Sequence, residues 1–317
     1  MNSQIKLAII AIVIVIPLAS FAVTQPSFNS EISTTENSKL QVITSATFLS
    51  EFSQNVGKEM IDVTLLVPMG ADPHDWEPTI RDREKIQKAD IVIVNGIGYE
   101  HWLSSLDSND NQGILVDTSN GISTLDSEKH DDHTKEDDHD GHEEDKHNHG
   151  DLDPHIWLNP VYAQLQVKNI ANALSNSDST NKNYYQSNAA IYNKELDLLD
   201  SKIRTELSGC KTDFITFHNA FSYFSEEYGL TQHTIISSND SHGEVTPQTL
   251  ENIISLAREL NIKVIFAEES TSTKTSQVIA DEIGGKVLVL SPLEIVSDES
   301  YVEKMIQNLD NLKDVLC

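Results

Sequence analysis

Eight short runs of mostly β-branched and other apolar residues punctuate the chain from Lys39 onward, at 40–44, 63–67, 91–95, 114–116, 214–217, 234–236, 263–266 and 286–290. Each is four or five residues long or slightly less, and most are continuous rather than alternating. A strand with one wet face alternates, whereas a strand covered on both faces does not, so these runs predict parallel sheets sandwiched between helices. Helical patterns separate most of the runs, which is the alternation of an α/β fold. The fold class expected is therefore α/β, with two (β/α) lobes and mainly parallel sheets, one in each half of the chain.

Between the halves, Tyr185, Ala189, Tyr192, Leu196, Leu199, Ile203 and Leu207 recur at spacings of three and four. That period predicts one amphipathic helix over 183–208, about 25 residues and roughly 35 Å long, ended near Gly209. A helix of this length makes a stiff connector between an N-terminal lobe, 39–182, and a C-terminal lobe, 209–317. About 280 residues are enough for two domains of ordinary size.

At the start, Lys6 precedes an apolar run from Leu7 to Ala22 that ends on small residues, with a polar stretch at 23–38. This is the layout of an export signal, with cleavage after Ala22 or retention of 1–22 as an anchor. The run is slightly short for a spanning helix, and no Cys follows it to carry a lipid. The expected location is outside the cytoplasm, periplasmic or at the cell surface, with membrane association through this segment or through a partner. The two cysteines, Cys210 and Cys317, form no metal-type pair and in an exported chain are read as one disulfide, or else as two free thiols.

The formal net charge of −28 argues against nucleic acid and anionic membrane surfaces as partners, and suits a cationic ligand. Residues 126–151 hold His130, His133, His139, His142, His147 and His149 among twelve acidic residues. Such a stretch cannot bury a core, and imidazole suits zinc, copper and nickel, so it reads as an auxiliary metal-gathering loop.

Three other histidines each stand just beyond a strand or just before a helix. His74 lies in GADPHDWEP after the run at 63–67, His155 in LDPHIWLNP with a helix expected from Pro160, and His218 in FITFHNAFSYF. Open α/β sheets bind ligands at the carboxyl ends of their strands, so the three imidazoles can converge on one ion in a cleft between lobes. Imidazole nitrogens favour Zn(II), with a carboxylate or water completing four-coordination. Glu268, which ends the run at 263–266, is the carboxylate expected there, with Glu77 or water as the alternatives. Trp76, Trp157 and Phe221 stand beside these positions as an apolar wall or as ordinary core. His101 and His233 read as surface or packing residues, and His242 carries no assignment.

The segments GADPHDWEP, DPHIWLNP and FITFHNAFSYF, with KADIVIVNGIGYEHWL and IKVIFAEESTSTKTSQVIADEIGGKVLVLSPL, resemble those of the cluster A metal substrate-binding proteins of ABC importers, the ZnuA-like zinc-uptake family. The resemblance runs from about Lys39 to the C-terminus. It implies two lobes joined by one helix with metal between them, a monomeric binding protein and an ABC permease as partner. By position, His74, His155 and His218 correspond to the family's zinc-binding histidines. Manganese-type relatives carry Glu where His218 stands and an Asp shortly after the position of Glu268, where this chain reads Glu269, Ser270, Thr271, Ser272 and Thr273. Zinc is therefore the expected cargo, with another divalent ion, a surface metal store or an adhesin as the alternatives. No zinc-hydrolase spacing such as HExxH occurs, so no enzyme is expected. Protonation of the imidazoles is expected to weaken binding below about pH 6.

Overall fold

The computed structural model describes residues 39–69, 71, 73–106, 113–125, 152–236, 245–269 and 273–317, and residues 39–317 form one compact unit. The apolar segment at 1–22, the polar stretch at 23–38 and the His-rich stretch at 126–151 lie outside the described residues. Among the described residues no helix is long and apolar enough to cross a membrane.

Seven of the eight expected strands form within two residues of their runs, and the eighth forms beside its run. In the first half they are β1 (Leu40–Thr44), β2 (Ile61–Leu65), β3 (Ile91–Val94) and β4 (Ile114–Asp117), paired in the order β2-β1-β3-β4. In the second half β5 (Asp213–Thr216), β6 (Thr231–Thr234), β7 (Val264–Ala267) and β8 (Lys286–Val289) repeat that order as β6-β5-β7-β8. Every pairing is parallel, with Val42 opposite both Val63 and Ile91 in the first sheet and Ile215 opposite Ile265 in the second. The central strands β3 and β7, reading IVIV and VIFA, are buried at every residue, as continuous apolar runs require. In each sheet the order reverses beside the first strand, between β1 and β3 and between β5 and β7. The carboxyl ends of the strands at such a reversal open onto a crevice.

Two expectations shift in detail. β6 pairs at 231–234 rather than 234–236, and Ile235 and Ile236 continue past it as buried chain held by Thr216 O and Phe217 O. Their apolar character reports burial and not strand. β2 likewise begins two residues earlier than the Val63-led run.

The helices follow as α1 (Thr47–Gly57), α2 (Ile80–Lys88), α3 (Pro160–Ser177), α4 (Lys182–Glu206), α5 (Ser222–Tyr228), α6 (Pro247–Glu259), α7 (Thr273–Ile283) and α8 (Tyr301–Leu316). The connector is α4, within two residues of its expected bounds, and Tyr185, Ala189, Tyr192, Leu196, Leu199, Ile203 and Leu207 are all buried. Its stripe packs into a core that also holds Phe52, Ile91 and Trp157 from the first half and Phe214, Phe266 and Leu309 from the second. The halves are thus joined by a shared apolar core as well as by a covalent link. Polar contacts cross the same junction: Thr47 Oγ1 donates to Leu293 O at 3.0 Å, Trp157 Nε1 to Pro292 O at 2.8 Å and Tyr301 Oη to Trp157 O at 2.6 Å.

Cys210, just after α4, and Cys317, at the end of α8, are disulfide-bonded across a separation of 107 residues. Closing so long a loop removes much freedom from the unfolded chain, about 4–5 kcal/mol in the chain-entropy account. A Cys317→Ser variant is expected to keep its helix and strand content by circular dichroism while its unfolding midpoint falls by on the order of 10 °C.

Candidate metal centre

Four side chains from both halves meet where the strands end. His74 follows β2, and its Nε2 lies 2.9 Å from Glu294 Oε1. His155 precedes α3, and its Nε2 lies 3.4 Å from His218 Nε2 and 3.5 Å from the same Glu294 oxygen. One atom from each of His74, His155, His218 and Glu294 falls within 4.8 Å of all the others. Four ligands at about 2.0–2.1 Å from a tetrahedral ion lie about 3.3 Å from one another, so three of these separations already have the length of a coordination edge.

Local sequence fixes each group. Asp153 Oδ1 accepts from the backbone N–H of His155 at 3.0 Å and meets its Nδ1 at 2.7 Å, both residues being fully buried. Asn159 then caps α3, its Oδ1 accepting from Val161 N, and Pro160 occupies the first turn. The cap sets where the helix begins and so holds His155 just outside it. His218 is held in the same manner by Glu268, whose Oε1 faces its backbone N at 3.2 Å and its Nδ1 at 2.5 Å. With Nδ1 engaged on both rings, Nε2 is left to face the centre. Glu294 is delivered by Leu293, whose φ of 61° turns the chain through the left-handed region. A non-glycine residue stays there only where its surroundings insist, and the bonds to Pro292 O and Leu293 O supply that insistence.

Aromatic side chains wall the group. Tyr99 stands edge-on to His74 at 5.3 Å, and Trp157 lies 5.1 Å from His155 and stacks on Phe48 at 4.3 Å. Trp76 packs instead on Trp102 and Phe221 on Phe224, as core residues. Beneath the loop carrying Tyr99, Glu100 accepts from Ser45 Oγ and from the N–H groups of Asn95 and Gly96. Burial nonetheless pushes its carboxyl up to about 7 against those bonds.

The fourth position departs from the sequence expectation. Glu268 directly follows β7, the strand next to β5, and so comes up beside the backbone of His218 and engages its Nδ1. Glu294, from the stretch after β8, is the carboxylate grouped with the three imidazoles. Glu77 is exposed and outside the group. A sequence signal does mark this position, since Glu294 is the one charged residue in the run VLVLSPLEIV at 287–296, and a charge amid apolar residues has to be paired or to serve as a ligand. His101 is exposed and His233 pairs with Asp213 at 2.9 Å, while His242 and the six histidines at 130–149 lie outside the described residues.

The chain matches the zinc-uptake complex component A periplasmic family over residues 42–315. It belongs to that family. The high-affinity zinc uptake system protein ZnuA of Bacillus subtilis is 39% identical over 289 residues, covering 88% of each chain. The zinc-binding protein AdcA of Streptococcus pyogenes is 32% identical over 87% of this chain, which spans only 56% of that longer protein. Among solved structures, the metal-dependent lipoprotein YcdH of Bacillus subtilis superposes with a TM-score of 0.73 at 36% identity, over 88% of this chain and 99% of that one. The family is one of substrate-binding transport proteins.

The electrostatics of the four-residue group fix its response to pH. Burial alone would lower the pKa of His155, but Asp153 and Glu294 beside it reverse the sign and raise it to about 9. Burial would raise Glu294, but His74 and His155 hold it well below the usual carboxylate range. The pH window in which protons oppose metal therefore extends well above the pH 6 inferred from an ordinary imidazole. In the metal-free protein the raised His155 contributes stability that is complete below about pH 6.5 and is lost as pH climbs toward 9. Glu294 contributes stability present above about pH 4.3 and lost as pH falls. A divalent ion bound at pH 7 is expected to displace about one proton, from His155. Calorimetric titration in buffers of different ionisation enthalpy measures that number, and zero released protons contradicts it.

Proposed function

We propose that the chain captures Zn(II) outside the cytoplasm with His74, His155, His218 and Glu294 and delivers it to the permease of an ABC importer. The observation that carries this reading is the convergence of three imidazoles and one carboxylate within 4.8 Å. A nitrogen-rich set with one oxygen suits zinc, while oxygen-rich sets suit manganese, and a histidine stands at 218 where a carboxylate would tilt the balance toward the latter. The relatives' own names, a zinc uptake protein and a zinc-binding protein, agree with that chemistry.

The same geometry separates capture from catalysis. A catalytic zinc keeps one position open for water or substrate, whereas His74, His155, His218 and Glu294 offer four donor atoms within 4.8 Å of one another, enough to close a tetrahedral shell. The chain is therefore read as a carrier without enzymatic activity, working as a monomer. The lobes, 39–182 and 209–317, act as two jaws joined by the helix at 183–208. The segment at 1–22 exports or anchors the chain, and the histidines at 130, 133, 139, 142, 147 and 149 gather zinc for the buried site. His155 and His218 are fully buried, so release requires the jaws to part.

Titration of metal-free protein with Zn(II) is expected to give one tight site that survives removal of 126–151. His155→Ala is expected to abolish that site. Glu294→Gln is expected to weaken it more than Glu268→Gln does, the latter by about 10- to 100-fold as for a residue that orients a ligand. Manganese bound as tightly as zinc, or loss of the tight site with 126–151, contradicts the proposal.

A further inference from the structure

Tyr223 lies on α5, five residues beyond His218, and is 1% exposed. Its hydroxyl leaves the second lobe and meets two separate stretches of the first. It donates to Asp153 O at 2.8 Å and accepts from Leu125 N at 3.0 Å. Those stretches also bond each other, Asp153 N donating to Leu125 O at 3.0 Å. Leu125 and Asp153 flank residues 126–151, so the two ends of that segment are joined to one another and both to a single hydroxyl.

Asp153 is also the residue whose carboxylate grips His155 at two points. A side chain next to His218 in sequence thus fixes the backbone that fixes His155 across the cleft. We infer that Tyr223 is a positioning residue, an inter-lobe latch that holds Asp153, and through it His155, against His218 and so sets how fast a bound ion leaves. The inference rests on His155 and His218 being ligands, as proposed above.

Three features support it. Both hydrogen-bonding capacities of the hydroxyl are used, and parting the lobes strips partners from it, from Leu125 N–H and from Asp153 C=O together, which opposes opening. Burial pushes the phenol's ionisation above its ordinary range, so it remains a donor at neutral pH. The helix has other moorings on the same face, with Asn159 Nδ2 donating to Glu227 Oε2 at 3.0 Å and Tyr162 packed edge-on to the Tyr223 ring at 5.7 Å. Removing the hydroxyl alone therefore leaves α5 docked.

The test is stopped-flow release of Zn(II) from the full chain into excess chelator, with association measured separately. Tyr223→Phe is expected to speed dissociation by about tenfold or more and leave association within about twofold, since the two buried hydrogen bonds lost are each worth roughly a factor of five. Tyr192→Phe is the control, because it removes another buried hydroxyl, bonded to Glu51 at 3.0 Å and to none of His74, His155, His218 and Glu294. It is expected to lower thermal stability without changing dissociation. The acceleration in Tyr223→Phe should persist when 126–151 is replaced by a short Gly/Ser link, because it runs through Asp153 O. Unchanged dissociation in Tyr223→Phe, an equal change in Tyr192→Phe, or loss of the effect with the segment overturns the inference. If His155→Ala still binds zinc tightly, the ligand reading fails. If it does not and Tyr223→Phe releases zinc at the native rate, only the latch fails.

Discussion

The contact on which the site depends is the meeting of Glu294 with His74 and His155 across the two halves of the chain. A carboxylate buried to 6% exposure must be paired, and its partners come from loops of the other half of the chain. The pairing holds the jaws in register and places the donor atoms near coordination distance. Asp153 and Glu294 hold the pKa of His155 up to about 9, so that at neutral pH its charge offsets theirs. The same electrostatics thus support the metal-free fold and define what displaces it, a compact cation that accepts nitrogen ligands.

Everything else in the fold serves to bring these groups together. Two copies of one strand order put the carboxyl ends of the strands of each sheet at its own crevice. The stripe along α4 and the core it shares with both halves limit how far they can move. Asp153 and Glu268 repeat one device on opposite sides, a carboxylate that binds both the backbone N–H and the Nδ1 of a histidine. Each ring is thereby fixed in direction before any metal arrives, which lowers the ordering cost of binding.

Much of this was legible in the residues. The apolar runs marked seven of the eight strands, most plainly β3 and β7, where burial on both faces removes alternation, and the spacing from Tyr185 to Leu207 gave the connecting helix because one face must meet the core. Ile235 and Ile236 misled because buried coil and buried strand look alike in composition. His74, His155 and His218 stood out through their motifs, and the structure gathers them. The fourth group did not, because neighbouring strands decide which face of a histidine a carboxylate reaches, and that is a property of sheet order. Glu268 and Glu294 both end strands or follow them in sequence, and only the pairing of β5 with β7 puts the first behind His218.

The central claim is that three imidazoles and Glu294 together enclose one zinc ion. X-ray absorption at the zinc edge, on protein lacking 126–151 and loaded with one equivalent, tests it most directly. The account predicts four light-atom ligands at about 2.0–2.1 Å with the multiple-scattering pattern of three imidazoles, reduced to three protein ligands and a water in Glu294→Ala. Two imidazoles or fewer, or no loss of carboxylate-carbon scattering in Glu294→Ala, would contradict it.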